Sequence, residues 1–291
     1  MIQIAVFGNC FQADKGTQIK HVFRMLDKIE AQVWIDTDFY NFLVDDTGIS
    51  PSYQGLITTN DFNADIALSI GGDGTFLRTA ERVGDKGIPI LGINTGRLGF
   101  LADVPAHDID NALTEIYKNN YRVEERSLLQ LSISGFEEPY MSCALNEIAI
   151  LKRDNSSMIT LHVDIDQEYL NSYEADGLII ATPTGSTGYS LSVGGPIIAP
   201  QANNFVISPV APHSLTTRPL VITDTCELDI EVHSRTDAFQ VAVDGNSYTL
   251  TTANRLRIKK APYQIRVVKR PGHTFYQTLR DKLMWGADKR V

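Results

Sequence analysis

In the first hundred positions short apolar runs alternate with helix-spaced segments. Ile2–Phe7 is an apolar run ending at Gly8, and Gly16–Lys28 follows with Ile19, Val22, Phe23 and Leu26 on one helical stripe. Gln32–Ile35 is strand-like again. Ala64–Ile70 stops at Gly71-Gly72-Asp73-Gly74-Thr75, after which Phe76–Val83 has helical spacing. Ile88–Ile93, closed by Gly92 and Asn94, predicts a further strand, and Ile109–Lys118 a further helix. Strands alternating with helices predict a parallel sheet with helices on its faces.

After Tyr121 the texture changes to short strands separated by turns. They are Leu128–Ser134, Ala144–Leu151, Thr160–Ile165, Tyr169–Tyr173, Leu178–Ala181, Phe205–Val210, Cys226–Val232, Phe239–Val243, Leu256–Lys260 and Gln264–Lys269. Several alternate apolar with polar residues, the pattern of half-buried antiparallel sheet. The chain therefore reads as an α/β N-terminal domain over 1–120 and a β-rich domain, a sandwich or layered sheet, over 121–270. A helical segment, Thr274–Leu283 within 271–291, is expected to return to the first domain.

Composition narrows the function classes. Of 291 residues 43% are hydrophobic and 21% charged, ordinary for a globular chain. Asp and Glu number 35 against 26 Lys and Arg, a net charge of −9, which disfavours nucleic acid or an anionic membrane as partner. Cys10, Cys143 and Cys226 lie far apart and form no CxxC pair, so a reducing compartment fits better than a disulfide framework or a zinc knuckle. The first residues read as a strand and not a leader, and no apolar run reaches the roughly 18 residues that a membrane helix needs. The expected location is the cytoplasm. The six histidines are scattered, His213 stands in no HxH arrangement, and no metal ligand set is assigned. No GxSxG elbow is present, and the Asn155-Ser156-Ser157 sequon has no use in a cytosolic chain.

Three stretches carry candidate chemistry. Gly71-Gly72-Asp73-Gly74-Thr75 lies between a predicted strand and a predicted helix. Its glycines admit close backbone approach, and a helix N-terminus offers unpaired N–H groups to a phosphate. A carboxylate in such a loop repels phosphate, so Asp73 makes sense as acceptor of a proton from an attacking hydroxyl or as a holder of a metal ion. The plainer alternative is a tight turn with Asp73 as helix cap. The stretch Asp176–Pro196 is dense in hydroxyls and glycine, a loop able to cup ribose, phosphate or a base edge. Asn146-Glu147 places two polar side chains in the apolar run Ala144–Leu151, on opposite faces if that run is one strand. Either one reaches a ligand, or the strand is simply half exposed. Asp244-Gly245-Asn246 is a hairpin-turn signal.

Together these stretches resemble the NAD kinase family. The match runs through Gly71–Thr75, Gly92-Ile93-Asn94-Thr95-Gly96-Arg97-Leu98-Gly99-Phe100-Leu101, Asn146-Glu147, Asp176–Pro200, Pro212-His213-Ser214-Leu215-Thr216-Thr217-Arg218-Pro219-Leu220 and Asp244-Gly245. The first motif is shared with diacylglycerol kinase-like and phosphofructokinase-like enzymes, whereas the long central stretch is far more specific. The resemblance implies transfer of the γ-phosphoryl of ATP to the 2′-hydroxyl of the adenosine ribose of NAD. It implies ATP and NAD as substrates, Mg²⁺ carried with ATP, and assembly as a homodimer or homotetramer.

Carried over by position, the resemblance makes Asp73 the proton acceptor, flanked at the phosphates by Gly72 and Gly74, with Arg78 near the dinucleotide. Asn146 and Glu147 contact the ribose. Asp176, Thr184, Thr187, Gly188, Tyr189, Ser190, Leu191 and Ser192 hold the rest of the mononucleotide, and Asn246 closes the site. Two positions depart from the pattern. Glu174 stands where bacterial relatives often carry Arg beside the dinucleotide, and Thr187-Gly188-Tyr189 replaces Thr-Ala-Tyr. A lipid or sugar kinase sharing only the glycine–aspartate loop, or a non-catalytic dinucleotide-binding regulator, is the alternative reading.

Overall fold

The structure, a computed structural model, describes residues 1–11, 13–96, 99–135, 140–153 and 157–286. Arg97-Leu98 of the family-like stretch and Asn155-Ser156 of the sequon lie outside the described residues. The chain forms two compact units, Met1–Glu125 together with the residues from Ile265 onward, and Arg126–Gln264.

In the first unit the order is β1 (Gln3–Gly8), α1 (Gly16–Lys28), β2 (Gln32–Asp36), α2 (Thr37–Asp45), β3 (Gly55–Ile57), β4 (Ile66–Ile70), α3 (Asp73–Val83), β5 (Ile90–Asn94), β6 (Val104–Pro105) and α4 (Ile109–Tyr117). The strands pair in parallel in the order β3-β2-β1-β4-β5, with registers such as Ile4↔Val33, Ile4↔Ile66 and Leu68↔Leu91. Every residue of β4 and β5 is buried, as helices on both faces require of a parallel strand. The helices supply those covers through Ile19, Val22, Phe23 and Leu26 of α1, and Ile109, Ala112, Leu113 and Ile116 of α4. Sequence order reverses between β1 and β4, so the loops leaving their carboxyl ends flank the crevice where such sheets bind ligands.

α2 has no counterpart among the elements expected from the hydrophobic pattern. It starts directly after β2, with the Asp36 carboxylate accepting the Phe39 N–H at 3.4 Å and with Phe39, Phe42 and Leu43 buried. The short strands β3 and β6 are likewise unanticipated.

The second unit begins within β7 (Arg122–Ile133) and continues through β8 (Tyr140–Ala144), β9 (Glu147–Lys152), β10 (Ile159–Ile165), β11 (Glu168–Ala175), β12 (Gly177–Ala181), α5 (Tyr189–Ser192), β13 (Asn204–Val210), β14 (Leu220–Thr223), β15 (Leu228–His233), β16 (Ala238–Val243) and β17 (Asn246–Thr251). It ends within β18 (Arg255–Lys269), whose last part belongs to the first unit, where Val267 pairs with Ile90 of β5. One sheet runs β11-β10-β15-β18-β7-β8 and the other β14-β13-β12-β9-β16-β17, so the β-rich unit is a sandwich. Alternate residues Ile159, Leu161 and Val163 of one sheet meet Ile148, Ile150, Phe205 and Phe239 of the other in a single core.

Two expectations from the apolar runs are corrected. Ala144–Leu151 is not one strand: Ala144 ends β8 in one sheet, and Glu147 starts β9 in the other. Leu256–Lys260 and Gln264–Lys269 are one strand, since Pro262 removes an N–H from β18 without ending it. The chain closes with α6 (Phe275–Leu283), in the first unit, whose N-cap Thr274 accepts the Gln277 N–H through its hydroxyl at 3.2 Å. Among the described residues no helix is long and apolar enough to cross a membrane.

Candidate active site

In the first unit the glycine loop joins β4 to α3. A Cβ on Gly71 would lie 2.4 Å from Thr75 Oγ1, so the fold itself demands that glycine. Gly72 and Gly74 differ: neither takes a positive φ, and a Cβ on either would meet nothing within 4 Å. Their side of the loop opens onto free space, as a phosphate cradle must. Gly72 is the N-cap of α3 and contributes no side-chain cap; the Thr75 N–H closes on Gly72 O at 3.0 Å, which leaves the Asp73 and Gly74 N–H groups as the uncapped donors of the first turn.

Asp73 is the first residue of α3 and not its cap. Its carboxylate turns to the chain that follows β5. Oδ2 accepts the Phe100 N–H at 2.9 Å, and Oδ1 accepts those of Leu101 and Ala102, each at 3.0 Å. A Cβ on Gly99 would sit 1.9 Å from Asp73 Oδ1, which explains the glycine in Gly99-Phe100-Leu101. The Lys282 ammonium of α6 completes the set, 3.3 Å from Oδ2.

Beside α3, at the carboxyl ends of β1 and β2, lies a cavity of about 700 Å³ lined by Gly8, Cys10, Asp36, Thr75, Arg78 and Arg82 among others. Arg82 pairs with Asp36 at 3.1 Å, and Arg78 reaches Thr75 Oγ1 at 3.4 Å. Burial pushes the Asp36 carboxyl up, against the opposing pull of Arg82.

The second unit gathers another set. Asp244 (φ 47°) and Gly245 (φ 91°) form the two-residue turn between β16 and β17. The Asp244 carboxylate accepts three successive N–H groups, from Leu145 at 2.7 Å, Asn146 at 2.9 Å and Glu147 at 3.0 Å. This clasp turns the chain from β8 into β9, and it is why the apolar run divides at Asn146. Glu147 is largely buried, and its carboxyl is pushed up to about 7, first by desolvation and then by the Asp244 charge, against the Tyr189 backbone N–H. Asn146 Oδ1 and Glu147 Oε2 are both buried and have no hydrogen-bond partner among the described residues. Buried acceptors are ordinarily satisfied, and this pair has the capacity to accept donors from a ligand.

The loop after β12 packs against the same pair. Thr182 donates its hydroxyl to Leu145 O at 2.6 Å and its N–H to Asn146 O at 2.9 Å. A Cβ on Gly185 would lie 2.1 Å from Asn146 O, and one on Gly188 2.7 Å from Glu147 Oε2. Thr184 and Thr187 are linked in this turn by a 3.2 Å bond from the Thr187 hydroxyl to Thr184 O. Tyr189, Ser190, Leu191 and Ser192 form α5, and the buried Ser190 is tied to Ser208 at 3.0 Å.

Thus Asn146, Glu147, Thr184, Thr187, Gly188 and Tyr189 share one neighbourhood. The remaining carried-over residues stand elsewhere. The Asp176 carboxylate pairs with Lys152 at 2.6 Å. Glu174 is exposed, 3.8 Å from His213, and lines a separate cavity of about 670 Å³ with Lys152, His233 and Arg235. Asn246 is exposed at the start of β17, beside the Asp244 turn. Arg78 belongs to the first unit's cavity. Asp244 and Lys282 had no assigned role: the first was visible only as a turn signal, and the second carried no sequence signal. Among the described residues no three His, Cys, Asp or Glu side chains gather to hold an ion.

Residues 18–121 match the family model of the ATP-NAD kinase N-terminal domain, and residues 145–270 that of the C-terminal domain. The chain is 53% identical to an NAD kinase of Bacteroides fragilis and 43% identical to one of Porphyromonas gingivalis, in each case over 290 residues that cover 100% of both proteins. Among solved structures, a yeast NADH kinase complexed with NADH superposes with a TM-score of 0.88 at 22% identity, covering 100% of this chain and 90% of that one. An NAD kinase from Archaeoglobus fulgidus in complex with ATP superposes with a TM-score of 0.76 at 25% identity, covering 96% of this chain and 99% of that one. The chain belongs to the ATP-NAD kinase family and is a phosphotransferase of that family.

Proposed function

We propose that this phosphotransferase moves the γ-phosphoryl group of ATP to the 2′-hydroxyl of the adenosine ribose of NAD, giving NADP. The observation that carries the reading is the pair of buried, unpartnered acceptors, Asn146 Oδ1 and Glu147 Oε2. Ribose hydroxyls are the donors such a pair lacks. A site built to bond a hydroxyl discriminates strongly for it, because the buried acceptor is otherwise left unpaired. Thr184, Thr187, Gly188 and Tyr189 line the same neighbourhood, and Ser190, Leu191 and Ser192 continue it along α5.

The open side of Gly72 and Gly74 and the N-terminus of α3 receive phosphate oxygens, and Arg78 on the cavity wall adds a cation. Asp73, at the start of α3 beside the glycine loop, is assigned the proton of the attacking hydroxyl. As the ribose oxygen bonds to the γ-phosphorus, the bond to the ADP oxygen breaks and the hydroxyl proton leaves to the carboxylate. Positioning and charge supply most of the rate in such a transfer. Mg²⁺ carried with ATP would neutralise charge on the phosphates, and an ion held mostly by phosphate and water would need few protein ligands.

A homodimeric or homotetrameric assembly is supported by exposed Leu220, Val221 and Tyr248 on the two edge strands of one sheet. A cytoplasmic location is supported by three cysteines outside any disulfide. The test of the reaction is a coupled assay for NADP with purified chain, NAD and MgATP. NAD-dependent ADP release matched by NADP is the expected result; ATP consumption indifferent to NAD, or stimulated by diacylglycerol, overturns it.

A further inference from the structure

We propose that Lys282, on the last helix, is a positioning residue for phosphoryl transfer: its ammonium fixes the Asp73 carboxylate and offsets its charge beside the phosphate-binding glycine loop. The inference rests on the reading above for the role of that loop.

An anionic Asp73 at the start of α3 opposes the approach of a triphosphate to the same helix end. Lys282 is the cation placed against it, with Nζ 3.3 Å from Oδ2. The ammonium is not loosely held. It lies 4.5 Å from the centre of the Phe100 ring, a cation–π arrangement, and that ring also neighbours Phe275 at 6.1 Å. Phe100 is the residue whose N–H Asp73 accepts on the same oxygen.

The root of α6 is fixed to the same stretch of chain. Lys269 pairs with Asp103, the residue after Ala102, and Arg270 binds Asp108 at 2.6 Å and Glu115 at 2.5 Å. The C-terminal segment therefore grips residues 100–103 at two points, Lys269 on Asp103 and Lys282 over the Phe100 ring. A surface lysine with a purely solvating role needs neither the aromatic seat nor the bracing of its helix. The Lys282 cation at this point keeps the carboxylate aimed and makes the loop less repulsive to phosphate.

The test uses the full chain. Lys282→Met keeps length and removes charge, Lys282→Arg keeps the charge, and Asp73→Asn removes the partner. ATP affinity by calorimetric titration is read separately from NADP formation. Expected for Lys282→Met are at least tenfold weaker ATP binding, an NAD KM within about twofold of the parent and an unchanged Tm, with most of the loss recovered in Lys282→Arg. In the Asp73→Asn background the same Lys282→Met change should alter ATP affinity less than about twofold, since residues that act through each other are non-additive. Parent-like ATP binding and turnover in Lys282→Met overturn the proposal. So does an equal loss in the Asp73→Asn background, which would put Lys282 directly on the nucleotide, and so does a lowered Tm that Arg does not restore. A parent that binds ATP but forms no NADP rejects the proposed reaction, and the binding arms still decide the role of Lys282.

Discussion

Asp244 holds Glu147 twice over: its Oδ1 accepts the Glu147 backbone N–H at 3.0 Å, and its charge raises the Glu147 side-chain carboxyl. One carboxylate thus fixes where the other begins and opposes its ionisation. With burial as the larger cause, Glu147 titrates at about 7, close to neutral pH.

The Glu147→Gln variant tests both consequences. A carboxyl whose folded pKa is raised from 4.5 to about 7 favours the fold below the unfolded value, and that contribution is lost as pH rises toward 7. Gln carries no such charge. At pH 8 the variant should therefore be more stable than the parent, by up to about 3 kcal/mol, while at pH 4 the two should melt alike. The NAD KM should rise about tenfold, because an amide accepts a ribose hydroxyl less strongly than a carboxylate. In the parent, NAD binding should strengthen as pH rises through 7, and in the variant this dependence should vanish. Equal KM values at pH 8 would remove Glu147 from ribose recognition.

Asp73→Asn separates chemistry from architecture. An amide cannot take the hydroxyl proton, so turnover should fall by about 10²–10⁴. It also meets the Phe100, Leu101 and Ala102 N–H groups with one acceptor oxygen in place of two, at about 1–3 kcal/mol. The expected result is a large loss of kcat together with a Tm lower by several degrees. Near-normal turnover in a destabilised variant would leave Asp73 with the loop clasp alone.

The parallel sheet was legible because its central strands, Ile66–Ile70 and Ile90–Asn94, are buried on both faces and therefore read as unbroken apolar runs. The glycine loop was legible for a related reason, since Gly72 and Gly74 face open space and no packing need accounts for them. Asn146-Glu147 stood out as an oddity, but the turn from β8 to β9 is made by Asp244, which lies 97 residues beyond Glu147. No local pattern contains that information. α2 was missed because it follows β2 without an intervening turn; Asp36 followed by Phe39, Phe42 and Leu43 was its only mark. Lys282 was beyond reach in the same way, its partner being 209 residues earlier on another element.

Gly72→Val is a test of space. The backbone there has φ −98° and ψ −171°, a conformation a β-branched residue adopts freely. With nothing within 4 Å of the added Cβ, the Tm should stay within about 2 °C of the parent, since surface changes usually cost under about 0.5 kcal/mol. ATP binding should weaken at least tenfold, because the branched side chain fills the room in front of the helix N-terminus. Unchanged ATP affinity would make the loop a turn and not a cradle.

Asp244→Asn asks whether the clasp also tunes the site. Asn is well suited to the first position of a two-residue turn with positive φ, so β16 and β17 should keep their register. The amide retains one acceptor oxygen for the N–H groups of Leu145, Asn146 and Glu147, and stability should drop by about 1–3 kcal/mol. The second effect has the opposite sense. Removing the Asp244 charge takes away the smaller of the two causes that raise the Glu147 carboxyl, leaving burial. The midpoint of the pH dependence of NAD binding should therefore move below that of the parent without reaching an ordinary glutamate value. At pH 6, where the parent's Glu147 is mostly protonated, the variant should bind NAD better than the parent does, an advantage that shrinks at pH 8, where Glu147 is mostly ionised in both. A midpoint that stays at the parent's value while the Tm falls would show that Asp244 braces the turn into β9 and leaves the ionisation of Glu147 to burial.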